Sequence, residues 1–174
     1  MRHIFSSMRL GFRGFSDSDA DTFLLHHNED KYKLWFPDNE CVTIEDALKV
    51  IAFFSDCINN KRLPYVLAID LLETNELIGD VGVNEVAGKN NEIEIGFSIS
   101  ERFERLGYAS EALSMMVKYI VPLFSIKNLY GRVLFGNEAS VNVLYKCGFE
   151  YQNKEMDAED DPYGNGMLVF VHTE

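Results

Sequence analysis

Three successive strand patterns occupy residues 65–99, and they constrain the fold more than any other part of the sequence. The last of them, EIEIGFSIS, alternates strictly between isoleucine or phenylalanine and the residues Glu94, Gly96 and Ser98. Strict alternation predicts a strand with one apolar face. Only the short turn segments ETNE and AGKNN separate the three patterns. We therefore predict a meander of antiparallel strands joined by hairpins.

Helical patterns lie on both sides of this meander. Before it, several N-cap candidates and an acidic first turn predict a helix over 17–27, and TIEDALKV predicts a second helix with a near capping box at Thr43. After it, an apolar stripe predicts a helix over 108–121, and NEASVNVLYKC predicts a short helix that ends before Gly148. Further strands are predicted at 8–15, 129–135, 150–156 and 167–173.

The resulting order, β-α-α-β-β-β-α-β-α-β-β, predicts an α/β (α+β) fold with a mixed, mainly antiparallel sheet and helices on both faces. The aromatic segment KYKLWFPD is predicted to be a loop. Residues 1–7 are expected to be a loose N-terminal extension. At 174 residues, the chain is expected to form a single domain over 1–174.

The charge distribution argues against nucleic acid and for a local anion site. The net charge is −12, and a nucleic-acid surface needs clustered Lys and Arg. Only residues 101–154 are net positive, with 7 basic and 5 acidic side chains. Three cysteines without CxxC spacing favour free thiols in a reducing compartment. Because we find neither a secretory signal nor a membrane span, a cytoplasmic protein is expected.

The segment SERFERLGYASEAL lies in this positive region, where a strand ends and a helix begins. Gly107 and Ala109 leave room for a ligand to approach the backbone, and the first amides of the helix point outward. Arg102 and Arg105 supply positive charge, and Ser110 supplies a hydroxyl donor. We predict a pyrophosphate site here, although a structural turn is the commoner role of a single glycine.

Together with NEASVNVLYKCGF, this segment resembles the signature of the GNAT superfamily of acyl-CoA-dependent N-acyltransferases. ERLGYASEAL is similar to the family's pyrophosphate loop, and NEASVNVLYKCGF is similar to its Asn-x-x-Ser helix and Leu-Tyr-x-x-x-Gly-Phe ending. The resemblance extends from Met8 over essentially the whole chain, and it is greatest to the ribosomal-protein N-terminal acetyltransferase (RimJ/RimL-like) branch. Glu104 departs from the family's Gln or Arg, and we expect its carboxylate to turn away from the phosphates.

The resemblance implies a GNAT-type fold that binds acetyl-CoA as the acyl donor, without a metal. The implied cofactor residues are Phe97, Ser98, Ile99, Arg102, Arg105, Leu106, Gly107, Tyr108, Ala109, Ser110, Asn137, Ser140 and Lys146. The strand that contains Phe97 is expected to splay from the next one and to offer amides to the pantetheine arm and the oxyanion. For Asn137 and Ser140, helix capping is the alternative role.

The resemblance also implies two catalytic groups. Glu94 is the expected general base for a primary amine, with Glu92 as the alternative two residues away. Tyr145 is similar in position to the tyrosine that protonates the departing thiolate; a core tyrosine at a helix end is its alternative role. Together they predict direct transfer in a ternary complex without a covalent enzyme intermediate.

The acceptor is less constrained by the sequence. The branch favours a protein N-terminus, whereas the charge of −12 also suits a polyamine or an aminoglycoside. A non-catalytic acyl-CoA-binding module is a further alternative. Trp35, Phe36 and Tyr32 are candidates for the wall of the acceptor pocket, with burial in the core as their equally favoured alternative role. No membrane partner is expected, and relatives include monomers and homodimers.

A metal site is not expected from the histidines. His26 and His27 are adjacent on a predicted helix, so their side chains are expected to face different sides and to make a poor metal pair.

Overall fold

The computed structural model describes residues 3–38, 41–86 and 92–173. Within these residues, eight strands form one sheet in the order β1-β2-β3-β4-β5-β6-β8-β7. The strands are β1 (Phe5–Ser6), β2 (Leu10–Arg13), β3 (Tyr65–Leu71), β4 (Leu77–Glu85), β5 (Ile93–Ile99), β6 (Asn128–Leu134), β7 (Glu150–Glu155) and β8 (Met167–Thr173). The α-helices are α1 (Ala20–His27), α2 (Asp30–Trp35), α3 (Ile44–Asn59), α4 (Tyr108–Phe124) and α5 (Glu138–Lys146).

The sheet is mixed and mainly antiparallel, as the sequence predicts. Of the seven neighbouring strand pairs, β5 and β6 alone are parallel within the described residues. These two strands are in register only at Ile93 with Leu129 and Glu94 with Tyr130. Beyond Glu94 they separate, so the expected splay of this strand is confirmed.

Helices cover both faces of the sheet, and alternation along β3 shows the two layers. Tyr65, Leu67 and Ile69 belong to a large core with the apolar stripe of α4 and Leu144 of α5. The intervening Val66 and Ala68 belong to a second core with α1 and α3. The period of two along a strand therefore divides the apolar residues between the two helical layers.

Buried Arg13 fixes the start of α1 on the sheet. Its Nε donates to Asp70 Oδ2 over 2.6 Å, and its Nη1 donates to Asp19 Oδ2 over 2.7 Å. All three side chains are less than a tenth exposed. A buried charge is tolerated only when it is paired, and here the carboxylates of Asp19 and Asp70 compensate the Arg13 guanidinium. Because Arg13 joins these two residues, Asp19, just before α1, is held beside β3.

The segment 31–38 differs from the sequence-based expectation. It was expected to be a loop, but α2 spans Asp30–Trp35, and the Phe36 amide donates to the Tyr32 carbonyl. The Tyr32 ring is buried and stacks on both His27 and Phe36 at centroid distances of 4.2 and 4.8 Å. Packing of aromatic rings stabilises this short helix, which local propensity alone does not predict.

Two further segments differ from expectation. Residues 3–7 were expected to be loose, but Phe5 stacks on Phe12 and Tyr119 at centroid distances of 4.5 and 4.4 Å. The helix α4 continues past Pro122 to Phe124, three residues beyond the predicted end. The predicted turn AGKNN lies outside the described residues. Among the described helices, none has the length and apolar character that a membrane span requires.

Candidate active site

A cleft of about 600 Å³ lies beside β5, between the N-terminal turns of α4 and α5. The divergence of β5 from β6 leaves an unpaired strand edge near this cleft. Eleven of the thirteen residues that the sequence predicts for the cofactor line it: Phe97, Ser98, Ile99, Arg105, Gly107, Tyr108, Ala109, Ser110, Asn137, Ser140 and Lys146. Two distant segments of the chain therefore meet in one cleft.

The N-terminal end of α4 has a backbone geometry that suits an anion. Gly107 and Arg105 have φ angles of +84° and +61°, so the chain turns sharply before the helix. The first amides of an α-helix, here Tyr108 to Ser110, have no acceptor within the helix. They carry the positive end of the helix dipole toward the cleft. This geometry suits the pyrophosphate that the sequence predicts.

Arg102 and Leu106 are the two predicted cofactor residues that do not line the cleft. Arg102 lies 3.3 Å from Glu76 and packs its guanidinium over the Phe103 ring. The Leu106 side chain is half exposed, and its carbonyl accepts a hydrogen bond from Arg9. Of the arginine pair in this loop, only Arg105 contributes to the cleft.

The Glu104 carboxylate lines the cleft and is paired with the Lys31 ammonium. Lys31 from α2 offsets the charge of Glu104, and the orientation of this carboxylate relative to the phosphates stays a prediction. This partner leaves no local signal in the sequence, because it lies 73 residues away in the chain.

Glu29 binds the loop that precedes α4 to the junction of α1 and α2. Its carboxylate accepts from the Ser100 hydroxyl over 2.5 Å and from the Glu101 amide over 3.0 Å. The Lys31 amide in turn donates to the Glu101 carboxylate over 3.1 Å. The loop that precedes α4 is thus held by α2 as well as by the sheet.

Arg9 is a positioning residue that sequence reasoning missed. Its Nε and Nη2 bond to the Glu111 carboxylate over 2.7 and 2.6 Å. Its Nη1 donates to the Leu106 carbonyl over 3.0 Å, and its guanidinium lies over the Tyr108 ring at 4.5 Å. One arginine before β2 therefore braces the first turn of α4. A basic residue at the start of the first strand was the only signal available.

Asn137 caps α5 and also lines the cleft. Its Oδ1 accepts from the Ser140 amide over 3.2 Å, so the capping role of Asn137 is present. A contact from Asn137 or Ser140 to pantetheine stays a prediction. Lys146, at the other end of α5, lines the same cleft.

Glu94 lies in an adjoining cavity of about 290 Å³. Five residues line both this cavity and the cofactor cleft, so the two spaces meet there: Trp35, Phe36, Phe97, Asn137 and Ser140. Trp35 and Phe36 therefore line both spaces, and their role as the wall of an acceptor pocket stays a prediction. Tyr32 lines the cleft and a third cavity of about 250 Å³.

A single buried guanidinium, that of Arg132, lines the Glu94 cavity and lies close to three carboxylates. Arg132 makes a two-pronged pair with Asp160, lies 3.2 Å from Glu155 and lies 3.6 Å from Glu94. Because Asp160 and Glu155 are closer, Arg132 neutralises Glu94 only in part. Asp38 adds a further acidic group to the lining. The cavity is therefore net negative.

Burial raises the pKa of Glu94 to about 7, against the opposing attraction of Arg132. The side chain is 20% exposed, and the charges of Asp160 and Glu155 add to the rise. A carboxylate that titrates near neutrality can accept a proton from an amine. The alternative base, Glu92, does not line this cavity or the other two described cavities.

Tyr145 does not reach the site. Its side chain is exposed, and its ring packs edge-on against Phe170 at a centroid distance of 5.3 Å. In LYKCGF, two residues separate Tyr145 from Gly148, whereas the family pattern has three. The residue at the family position is Leu144, which is buried and lines the Glu94 cavity. Adjacent helical positions differ by about 100°, so a one-residue offset turns Tyr145 outward.

The two adjacent histidines are brought together with an acidic residue. Ligand atoms of His26, His27 and Asp80 all lie within 4.8 Å of one another. The expectation that the two imidazoles are separated by the helix is therefore wrong, because both lie at the C-terminal end of α1 beside β4. Burial lowers the pKa of His26 and so favours its neutral form.

The three cysteines are free, as the sequence predicts. Cys147 lies beneath the cofactor cleft, where the Ser114 hydroxyl donates to its sulfur over 3.3 Å. Burial raises the pKa of the Cys147 thiol, which disfavours the reactive thiolate.

Comparisons with known proteins agree with this geometry. The family model described as "Acetyltransferase (GNAT) domain" matches residues 9–150. The uncharacterized N-acetyltransferase YoaA of Bacillus subtilis (strain 168) is 31% identical over 171 residues, which cover 97% of this chain and 96% of YoaA.

Solved structures share the fold. The ribosomal-protein-S5-alanine acetyltransferase from Vibrio fischeri superimposes with a TM-score of 0.81 at 15% identity, covering 97% of this chain and 95% of that one. The microcin C7 self-immunity acetyltransferase MccE, solved with acetyl-CoA and AMP, gives a TM-score of 0.79 at 17% identity, with coverages of 97% and 94%. The chain therefore belongs to the GNAT acetyltransferase family and is an acyltransferase.

Proposed function

We propose that this protein transfers an acetyl group from acetyl-CoA to a primary amine, with a protein N-terminus as the favoured acceptor. Glu94 is the general base, and the amine attacks directly in a ternary complex. The observation that carries the proposal is the position of Glu94. Its carboxylate, with a pKa of about 7, lies in a cavity that shares Phe97 as a lining residue with the cofactor cleft.

The cofactor half of the proposal rests on the α4 terminus. The diphosphate would lie against the amides of Tyr108 to Ser110, with Arg105 beside it. The pantetheine arm would run along the free edge of β5 toward Glu94. The GNAT family uses acetyl-CoA, and the related MccE structure was solved with it.

The chemistry follows from the groups in the cavity. Glu94 accepts a proton from the ammonium form of the acceptor, and the neutral nitrogen attacks the thioester carbonyl. The new C–N bond forms as the carbonyl becomes an oxyanion near the β5 amides. The oxyanion collapses, the C–S bond breaks, the nitrogen releases its second proton to water, and the coenzyme A thiolate leaves. Because a thiol has an ordinary pKa of about 8.5, the thiolate can leave without an enzymatic acid and take its proton from water.

Proton affinities favour a protein N-terminus. An α-amino group has an ordinary pKa of about 8, only about one unit above that of Glu94. A lysine-like amine, with a pKa of about 10.4, lies more than three units above it. The equilibrium constant for proton transfer to Glu94 is therefore at least a hundredfold more favourable for the α-amine than for the lysine-like amine. A basic protein also suits the acidic walls formed by Asp38 and Asp160.

A polyamine or aminoglycoside is the second candidate, and the net negative Glu94 cavity favours it. A non-catalytic acyl-CoA-binding module is less well supported, since such a module has no use for a buried carboxylate that titrates near neutrality.

The test is a thiol-release assay with acetyl-CoA and a panel of amines. Short peptides with free N-termini, polyamines and aminoglycosides are the acceptors, and each peptide is paired with its N-acetylated form as a blank. We expect release with free N-termini and none with the blanks. Release with polyamines alone would move the assignment to the second candidate. Silence with every amine, together with a rise in melting temperature on adding acetyl-CoA, would favour the binding module.

A further inference from the structure

The cluster of His26, His27 and Asp80 has no role in the proposed acetyl transfer. The two histidines end α1, and Asp80 lies on β4. One ligand atom from each residue lies within 4.8 Å of the other two. Imidazole and carboxylate groups are the donors that divalent transition metals take in proteins.

His27 is an incomplete polar contact in this cluster. Its Nε2 is buried and has no hydrogen-bond partner among the described residues. Asp80 Oδ2 is 3.6 Å away from this nitrogen, which is beyond hydrogen-bonding distance. The ring cannot easily turn elsewhere, because it stacks on Phe23 and Tyr32 at centroid distances of 3.8 and 4.2 Å. Because buried polar atoms normally have a partner, this nitrogen points to a ligand.

The surroundings of Asp80 hold its carboxylate in place. The Ser98 hydroxyl donates to Asp80 Oδ2 over 3.1 Å, which orients the group toward the histidines. Hydrogen bonds of this kind fix the ligands of metal sites. Access is available on two sides, since His26 lines the cofactor cleft and Asp80 lines the third cavity of about 250 Å³.

We propose that His26, His27 and Asp80 bind one divalent transition-metal ion of the Zn²⁺ type. Ligand atoms around tetrahedral Zn²⁺, at bond lengths of about 2.0–2.1 Å, lie about 3.4 Å apart. Binding would draw the three ligand atoms together from separations of up to 4.8 Å. Three protein ligands leave one position for water or a small anion. The ion would join the C-terminal end of α1 to β4, and its binding does not depend on the acetyl-transfer proposal.

Calorimetric titration of Zn²⁺ into the tag-free, chelator-treated full-length protein tests this site without acetyl-CoA. We expect one equivalent to bind, and a melting temperature about 5–10 °C higher at a free concentration of 100 times Kd. Asp80→Asn keeps the shape of the side chain and is expected to weaken binding at least tenfold. The matched control His172→Gln removes a histidine that contacts Phe149 far from the cluster, and it should leave Kd within twofold.

X-ray absorption on the zinc-loaded wild-type protein gives a second readout that needs no variant. Two imidazole nitrogens at about 2.0–2.1 Å would support the site, and a sulfur at about 2.3 Å would overturn it by assigning the ion to a cysteine. Substoichiometric binding, or binding that Asp80→Asn leaves unchanged, would also overturn it. The cluster would then be a simple histidine–carboxylate contact.

Discussion

Replacing Glu94 with glutamine removes a group that is costly to ionise in the folded protein. The pKa of Glu94 is about 7, against an ordinary value of 4.5, because burial disfavours the charged form. One unit of pKa corresponds to about 1.4 kcal/mol. The charged carboxylate therefore lowers the free energy of unfolding by about 3 kcal/mol at pH 8.

The direction of the change in stability with pH is set by the difference in proton binding between the folded and unfolded states. Between pH 4.5 and 7, the folded protein holds the Glu94 proton and the unfolded chain does not. The contribution of this carboxyl group is therefore fully present below pH 4.5, is lost as pH rises to about 7, and is constant above that. Because glutamine does not titrate, the free energy of unfolding of Glu94→Gln should rise relative to that of the wild type as pH increases over the same range. The gain of about 3 kcal/mol at pH 8 corresponds to about 6–12 °C in melting temperature.

Urea denaturation of the ligand-free protein at pH 4.5, 6, 7 and 8 measures this difference. At pH 8 we also expect Glu94→Gln to lower turnover about 10²–10⁴-fold, since a general base contributes about that much. The matched control Glu92→Gln removes a carboxylate from just before the same strand, outside the cavity, and should leave turnover within a few-fold. A stability difference between Glu94→Gln and wild type that is constant from pH 4.5 to 8 would refute the buried-base argument.

Four other substitutions test separate parts of the structure. Gly107→Ala introduces a side chain at a φ of +84°, so we expect a loss of about 1 kcal/mol in urea denaturation and weaker acetyl-CoA binding by calorimetry. Gly96→Val adds bulk where a Cβ meets nothing within 4 Å and two cavities adjoin; kcat/KM for the acceptor should fall while Kd for acetyl-CoA stays within twofold. Tyr145→Phe should leave kcat within twofold in the thiol-release assay, and a large fall in kcat would show that Tyr145 takes part in catalysis. Arg13→Met leaves two buried carboxylates without their cation and should cost about 3–5 kcal/mol in urea denaturation.

The sequence predicted the fold well because its main signals are local. Period-two alternation in EIEIGFSIS and the capping box at Thr43 each lie within one element, and both elements are found where the patterns place them. SERFERLGYASEAL was also recognisable, because an anion site needs small residues and free amides at one helix start, whereas NEASVNVLYKCGF was recognised by its resemblance to the GNAT signature.

The rest of the site depends on contacts between distant residues. Lys31 neutralises Glu104, Arg9 braces the first turn of α4, and Arg132 sets the surroundings of Glu94. None of these pairs leaves a pattern within a short window. The assignment of Tyr145 failed for a different reason. The spacing between Tyr145 and Gly148 is one residue shorter than in the family pattern, and an offset of one residue turns a side chain by about 100° around the helix, away from the cleft.

The early separation of β5 from β6 makes the ligand-free sheet an incomplete structure. Only two registered pairs join these strands, so roughly every second amide from Ile95 to Ile99 faces a gap rather than a neighbouring strand. Such amides should exchange with deuterium much faster than those that bond to β4. If the amide groups of pantetheine fill the gap, acetyl-CoA would act as a short ninth strand and slow exchange at these positions. Cofactor occupancy would then set how firmly the two halves of the sheet are joined.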